Sequence, residues 1–79
     1  MNVLRTAILE MGRRRGASTF CPSEVVRWLY PQDWELFMDD VKTEMMLLYQ
    51  EGLILVSQNG QPIKTNSLPK GPVRIKLAP

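Results

Sequence analysis

Two groups of cations are the residues of this chain best suited to chemistry, and the chemistry they suit is contact with phosphate. Arg13-Arg14-Arg15 is a run of three guanidiniums, each able to offer a bidentate fork to phosphate oxygens. Lys64, Lys70, Arg74 and Lys76 lie in a stretch, Leu53 to Pro79, that contains no acidic residue. Lys42 stands between them in a run of carboxylates. Each group also has a plainer use. Cations at the end of a helix complement the negative pole of its dipole, and lysines on a hairpin keep an edge strand from pairing with another chain.

Other chemistries are poorly served. There is no histidine and a single cysteine, Cys21, so neither a Cys–His catalytic pair nor a zinc site of the usual Cys/His type can be built within one chain. The lone thiol excludes an internal disulfide and fits a reducing, cytoplasmic setting. Placed at a helix start, Cys21 is either a small cap or a redox-sensitive thiol. No Gly-rich phosphate loop, paired catalytic carboxylates or nucleophile–base set is present, so no enzymatic activity, metal or cofactor is expected. Trp28, Tyr30, Trp34 and Tyr49 could stack on unpaired bases, although the spacing of Trp34 assigns it to a core-facing helix stripe.

The net charge of +2 hides an uneven distribution. Met1 to Trp34 sums to +2, Glu35 to Gly52 to −4, and the remainder to +4. Such asymmetry bears on partners rather than on fold. With 44% hydrophobic and 23% charged residues, the composition is that of a globular domain. The 79 residues suit one domain spanning 1–79, able to bury about 60% of its unfolded surface. No apolar run approaches a membrane span. Arg5 and Glu10 interrupt the N-terminal apolar residues and argue against a signal peptide.

The elements that must position these residues follow from periodicity. Val3, Leu4, Ala7, Ile8 and Met11 mark one face of a first helix. Gly12 weakens it near its end, and Gly16 stops it. Ser18-Thr19-Phe20 suits a brief strand against the later hairpin. Cys21-Pro22-Ser23-Glu24 opens a second helix, with Pro at its first position and Glu24 placed to reach back to the cap. That helix buries Val25, Val26 and Leu29 and ends at Pro31. Pro31-Gln32-Asp33 forms a turn with Asp33 as the N-cap of a third helix. On that helix Trp34, Phe37, Met38, Val41, Met45 and Leu48 share one face. Leu36, Met46 and Leu47 fall off it and are either core or an exposed stripe. Gly52 suits the residue after the helix end. Leu53-Ile54-Leu55-Val56 and Val73-Arg74-Ile75-Lys76-Leu77 are the strands of a hairpin. Asn59-Gly60 could turn tightly, but Pro62 follows at once, so 59–72 is expected to be a long irregular wing tip. An ion pair between Glu24 and Arg74 would join the second helix to the last strand.

Helix, short strand, helix, turn, helix and hairpin make an α+β, winged helix-turn-helix arrangement, with three helices and a two-stranded wing. In such domains the third helix typically enters the major groove. Here it carries Glu35, Asp39, Asp40 and Glu44, which phosphates repel. The expected function is therefore weak DNA or other nucleic-acid binding led by the wing, through Arg13, Arg14, Arg15, Lys42, Lys64, Lys70, Arg74 and Lys76, in a transcription-related setting. The alternative is a protein-interaction module using the acidic third helix and its apolar off-face residues; a homodimer is a further expectation, with no surface fixed for it by the sequence. No membrane partner is expected.

Several blocks also resemble a bacterial domain-of-unknown-function family of about this length with a winged-helix-like fold. They are Phe20-Cys21-Pro22-Ser23-Glu24-Val25, Asp33-Trp34 with Met38 and Val41, Gly52-Leu53-Ile54, Gln58-Asn59-Gly60-Gln61-Pro62, and Lys70-Gly71-Pro72-Val73-Arg74. The resemblance implies the fold and a bacterial cytoplasmic origin, but no activity. Some similar proteins carry a Cys-rich, zinc-binding-like segment; this chain has none.

Overall fold

A computed structural model describes residues 2–79. Helix α1 spans Val3–Arg15, and the Asn2 side chain caps it by accepting the Arg5 N–H at 3.1 Å. Helix α2 spans Pro22–Leu29 from Cys21 as cap residue. The Glu24 carboxylate accepts the Cys21 N–H at 2.9 Å, the reaching-back half of the box expected from its position.

The third helix starts later than expected. Asp33 makes no side-chain cap bond, and the chain first winds through a 3-10 turn, Trp34–Phe37. Helix α3 then runs from Met38 to Gln50. Across this turn Phe37 stacks on Tyr30, with ring centroids 4.1 Å apart. Trp34 is half-buried, with the Arg27 guanidinium 4.2 Å over its ring. Trp34 therefore packs at the edge of the core. The off-face residues divide: Met46 is buried, whereas Leu36 and Leu47 are exposed. At the end of α3, Leu53 N–H bonds Leu48 C=O and Gly52 N–H bonds Tyr49 C=O, the paired bonds of a Schellman close.

Three antiparallel strands follow: β1 Ile54–Gln58, β2 Gln61–Pro62 and β3 Arg74–Leu77, in the order β2-β1-β3. The expected pairing of the two long strands is present, in the register Ile54↔Leu77, Leu55↔Lys76, Val56↔Ile75, Ser57↔Arg74. The irregular wing tip expected over 59–72 is corrected at its start. Asn59 and Gly60 both take positive φ, 53° and 79°, the conformation a two-residue primed turn demands. Pro62 does not prevent this because β2 is an edge strand, where a missing N–H leaves no ladder bond unmade. The irregular part is the chain from Ile63 to Pro72. It leans on α3, where Tyr49 Oη donates to Ile63 C=O at 2.7 Å and Gln50 Nε2 to Thr65 C=O at 2.6 Å. The brief strand expected near Ser18–Phe20 is a single antiparallel bridge, Phe20↔Ile75, on the far side of β3.

Alternation decides the sheet's two faces. Ile54, Val56 and Ile75 are buried inward with Phe20, Ile8, Val25, Val26, Val41, Met45 and Leu48, the centre of the core. Leu55, Ser57, Arg74 and Lys76 take the opposite, outer face. Helix α1 reaches β3 closely because Gly12 has no side chain: a Cβ there would lie 2.7 Å from Leu77 Cγ. The glycine that weakens α1 locally thus permits its seat on the sheet. Gly12→Val should lower the unfolding free energy by about 1–3 kcal/mol through overpacking. Leu77→Ala in the same chain should recover part of that loss in urea titrations.

Candidate nucleic-acid interface

The cations separate into engaged and free. Five ion pairs occur among the described residues, and every one uses an arginine of α1. Arg5 pairs with Glu51 and, at 4.0 Å, with Glu44, tying α1 to the end of α3. Arg13 and Arg14 both pair with Glu10, and the Arg14 guanidinium also lies 5.1 Å over the Trp28 ring. Arg15 pairs with Glu24 across the α1–α2 connection. The triple-arginine run is therefore largely committed to internal carboxylates.

The C-terminal cations are not. Among the described residues Lys64, Lys70, Arg74 and Lys76 have no carboxylate partner. The expected Glu24–Arg74 pair is absent. Glu24 is taken by Cys21 N–H and Arg15, while Arg74 turns to Thr19, its Nε donating to Oγ1 and its Nη2 to the carbonyl oxygen, both at 2.9 Å. The Phe20–Ile75 bridge, with N–H···O distances of 3.0 and 2.7 Å, sets Thr19 in that position. Arg15 Nη1 approaches the same Thr19 carbonyl at 3.5 Å. The end of the arginine run and the start of β3 therefore meet at one backbone oxygen.

Arg74 and Lys76 wall a depression of about 200 Å³ on the outer face of the sheet. Its other lining includes Leu55, Ser57, Pro62 and Thr19. Lys64 and Lys70 are exposed on the segment between β2 and β3, and Gln58 Nε2 donates to Lys70 C=O. Lys42 lies apart from these, in a groove shared with Cys21, Ser23 and the stretch Gly71, Pro72 and Val73. The structure thus brings together Arg74, Lys76 and the Arg15 end of the run, and leaves Arg13, Arg14 and Lys42 elsewhere. Thr19, Leu55 and Ser57 carry no functional signal in the sequence reading. The alternation of β1 could have flagged Leu55 and Ser57, but nothing local marks Thr19 as the holder of an arginine 55 positions away.

On α3 the acids also divide. Glu44 accepts from Asn2 Nδ2 at 2.5 Å and faces Arg5. Asp39 and Asp40 are exposed in the first turn, where the helix dipole favours negative charge. The other exposed side of α3 is partly screened: Thr43, Leu47 and Gln50 share a groove with Asn66 and Leu68 of the β2–β3 segment. The one cation of α3, Lys42, is half-buried in the separate groove beside Cys21.

A family model described as a protein of unknown function (DUF3253) matches residues 1–78. The chain belongs to the DUF3253 family. A search of curated proteins found no match. The family description names no activity, so a function for this DUF3253 chain has to come from its surface chemistry. Among the described residues, no three His, Cys, Asp or Glu side chains come together as a metal site, and no helix is long and apolar enough to cross a membrane.

Three carboxylates titrate below their ordinary value of 4.5. Glu24 is lowered first by the Cys21 N–H and then by Arg15. Glu10 is lowered by Arg13 and then Arg14, and Glu51 by Arg5. A folded-state pKa below the unfolded one stabilises the fold above about pH 4.5, and that stability is lost as pH falls through the lowered values. Glu24→Ala should therefore lower the unfolding free energy at pH 7 by about 0.5–1.5 kcal/mol. The difference between variant and parent should shrink at pH 3 in urea titrations.

Proposed function

We propose that this chain is a winged helix-turn-helix module that binds nucleic acid weakly and without base preference, through the outer face of its sheet and the β2–β3 segment. One observation carries this reading: the cations of the last third are exposed or half-exposed and free of carboxylates, whereas the ion-paired ones belong to α1. Unpaired cations release counterions when they meet phosphates, and affinity then depends on salt. Helix α3 plays no reading role here, because its exposed start is acidic and its far side shares a groove with the 66–68 segment. No catalytic activity is part of the proposal.

A second reading, a protein-interaction surface, is favoured by Leu36. It is 77% exposed and is flanked in sequence by Asp33, Glu35, Asp39 and Asp40, which make no ion pair among the described residues. If that surface mediates self-association, Leu36→Lys should abolish any dimer seen in sedimentation velocity.

The leading proposal predicts a linear fall of log affinity with log salt for duplex DNA, single-stranded DNA and RNA. Replacing Lys64, Lys70 and Lys76 by Gln should make the slope shallower, by about 0.7–0.9 for each phosphate that is no longer neutralised. Replacing Asp39 and Asp40 by Asn should change affinity much less. Absence of binding to all three at low salt would contradict the proposal.

A further inference from the structure

The depression on the outer sheet face has a property that general phosphate attraction does not use: a fixed guanidinium stands beside an apolar floor. Arg74 is held at Nε and Nη2 by Thr19, which leaves Nη1 unbonded among the described residues. A guanidinium fixed in this way loses less freedom on binding than a lysine on a mobile loop. Lys76 flanks it on the same strand face, and Ser57 lies opposite Arg74 in the β1–β3 register. Leu55, opposite Lys76, is 44% exposed, and Pro62 closes the far side. A bare phosphate would meet the cations and leave Leu55 wet. A duplex would do much the same, since its bases remain stacked inside. A strand with unstacked nucleotides can present a phosphate together with an apolar ring face.

We propose that this depression seats one nucleotide unit of a single strand, with its phosphate on Arg74 and Lys76 and its sugar and base against Leu55 and Pro62. The proposal rests on the nucleic-acid reading for the strand, but the seat can be tested on its own with a mononucleotide. Thr19 acts as a positioning residue, since it touches Arg74 and not the ligand.

The test is NMR on the full chain, following the Arg74 Nε–H signal, the Leu55 methyls and the backbone amides. Inorganic phosphate, a nucleoside 5′-monophosphate, an oligothymidylate and a duplex of matching length are added at constant ionic strength. Inorganic phosphate should move Arg74 alone; the monophosphate and the oligothymidylate should move Arg74 and Leu55 together. The single strand should bind more tightly than the duplex. Arg74→Lys keeps the charge but cannot be held by Thr19 at two donors with a third left for phosphate, so it should weaken the oligothymidylate about tenfold while leaving the salt slope unchanged. Leu55→Ser, at an exposed position, should weaken the oligothymidylate but not inorganic phosphate. The seat is refuted if the Leu55 methyls stay still with both nucleotides, if Arg74→Lys binds like the parent, or if the duplex binds at least as tightly. Oligothymidylate binding with shifts confined to Lys64 and Lys70 would refute the seat and leave the broader nucleic-acid proposal standing. Absence of all oligonucleotide binding, with monophosphate still moving Arg74 and Leu55, would refute the broader proposal and restrict the seat to a free nucleotide.

Discussion

Two backbone hydrogen bonds between Phe20 and Ile75 hold the arrangement together. Both residues are fully buried, so the bridge joins the connection between α1 and α2 to the middle of the last strand at the centre of the core. Its consequences run outward in three directions. It gives β3 a neighbour on each side, β1 on one and the 18–20 segment on the other, so the strand is not left as an open edge. It anchors the sheet against the helices that supply Ile8, Val25 and Met45 to the same core. It also places Thr19 beside Arg74, which turns one surface arginine into a fixed one.

Charge then follows topology. The arginines of α1 face carboxylates that neighbouring elements bring to them: Glu10 on the same helix, Glu24 on α2, Glu44 on α3 and Glu51 just past its end. These pairs are partly exposed, so each adds little to stability; their larger effect is to cancel charge. Among the described residues the cations on β3 and the segment before it find no such partners, and the last third of the chain contains no acid of its own. The protein thus has an ion-paired α1, an acidic start to α3 and a cationic sheet side. The acidic start of α3 is compatible with helix electrostatics but not with lying along a phosphate backbone. The β2–β3 segment is pinned to the end of that helix by Tyr49 and Gln50.

Much of the fold is legible in the residues, because periodicity and caps act locally. The α1 stripe from Ala7 to Met11, the Pro22–Glu24 helix start, the Gly52 stop and the antiparallel pairing of β1 with β3 follow from spacing and backbone preference. What escapes depends on contacts distant in sequence. Asp33 is a good cap residue, yet the stacking of Phe37 on Tyr30 accompanies a 3-10 turn and a helix that starts at Met38. Pro62 argues against a tight turn, yet Asn59-Gly60 makes one because β2 needs no outward donor. The site shows the same division. The four unpaired cations of the last third are evident from the absence of acids. Which arginines of the Arg13–Arg15 run are already engaged, and that Arg74 belongs to Thr19 rather than Glu24, depends on how the helices pack on β3.

The central claim is that nucleic acid lies on the sheet side and not along α3. The most direct measurement is paramagnetic relaxation from a single-stranded oligonucleotide carrying a nitroxide, read at every backbone amide. The account predicts the strongest broadening across β1, β3 and residues 64–70, with clearly weaker broadening of the amides of 38–45 in α3. Broadening centred on α3, with β3 left sharp, would contradict it.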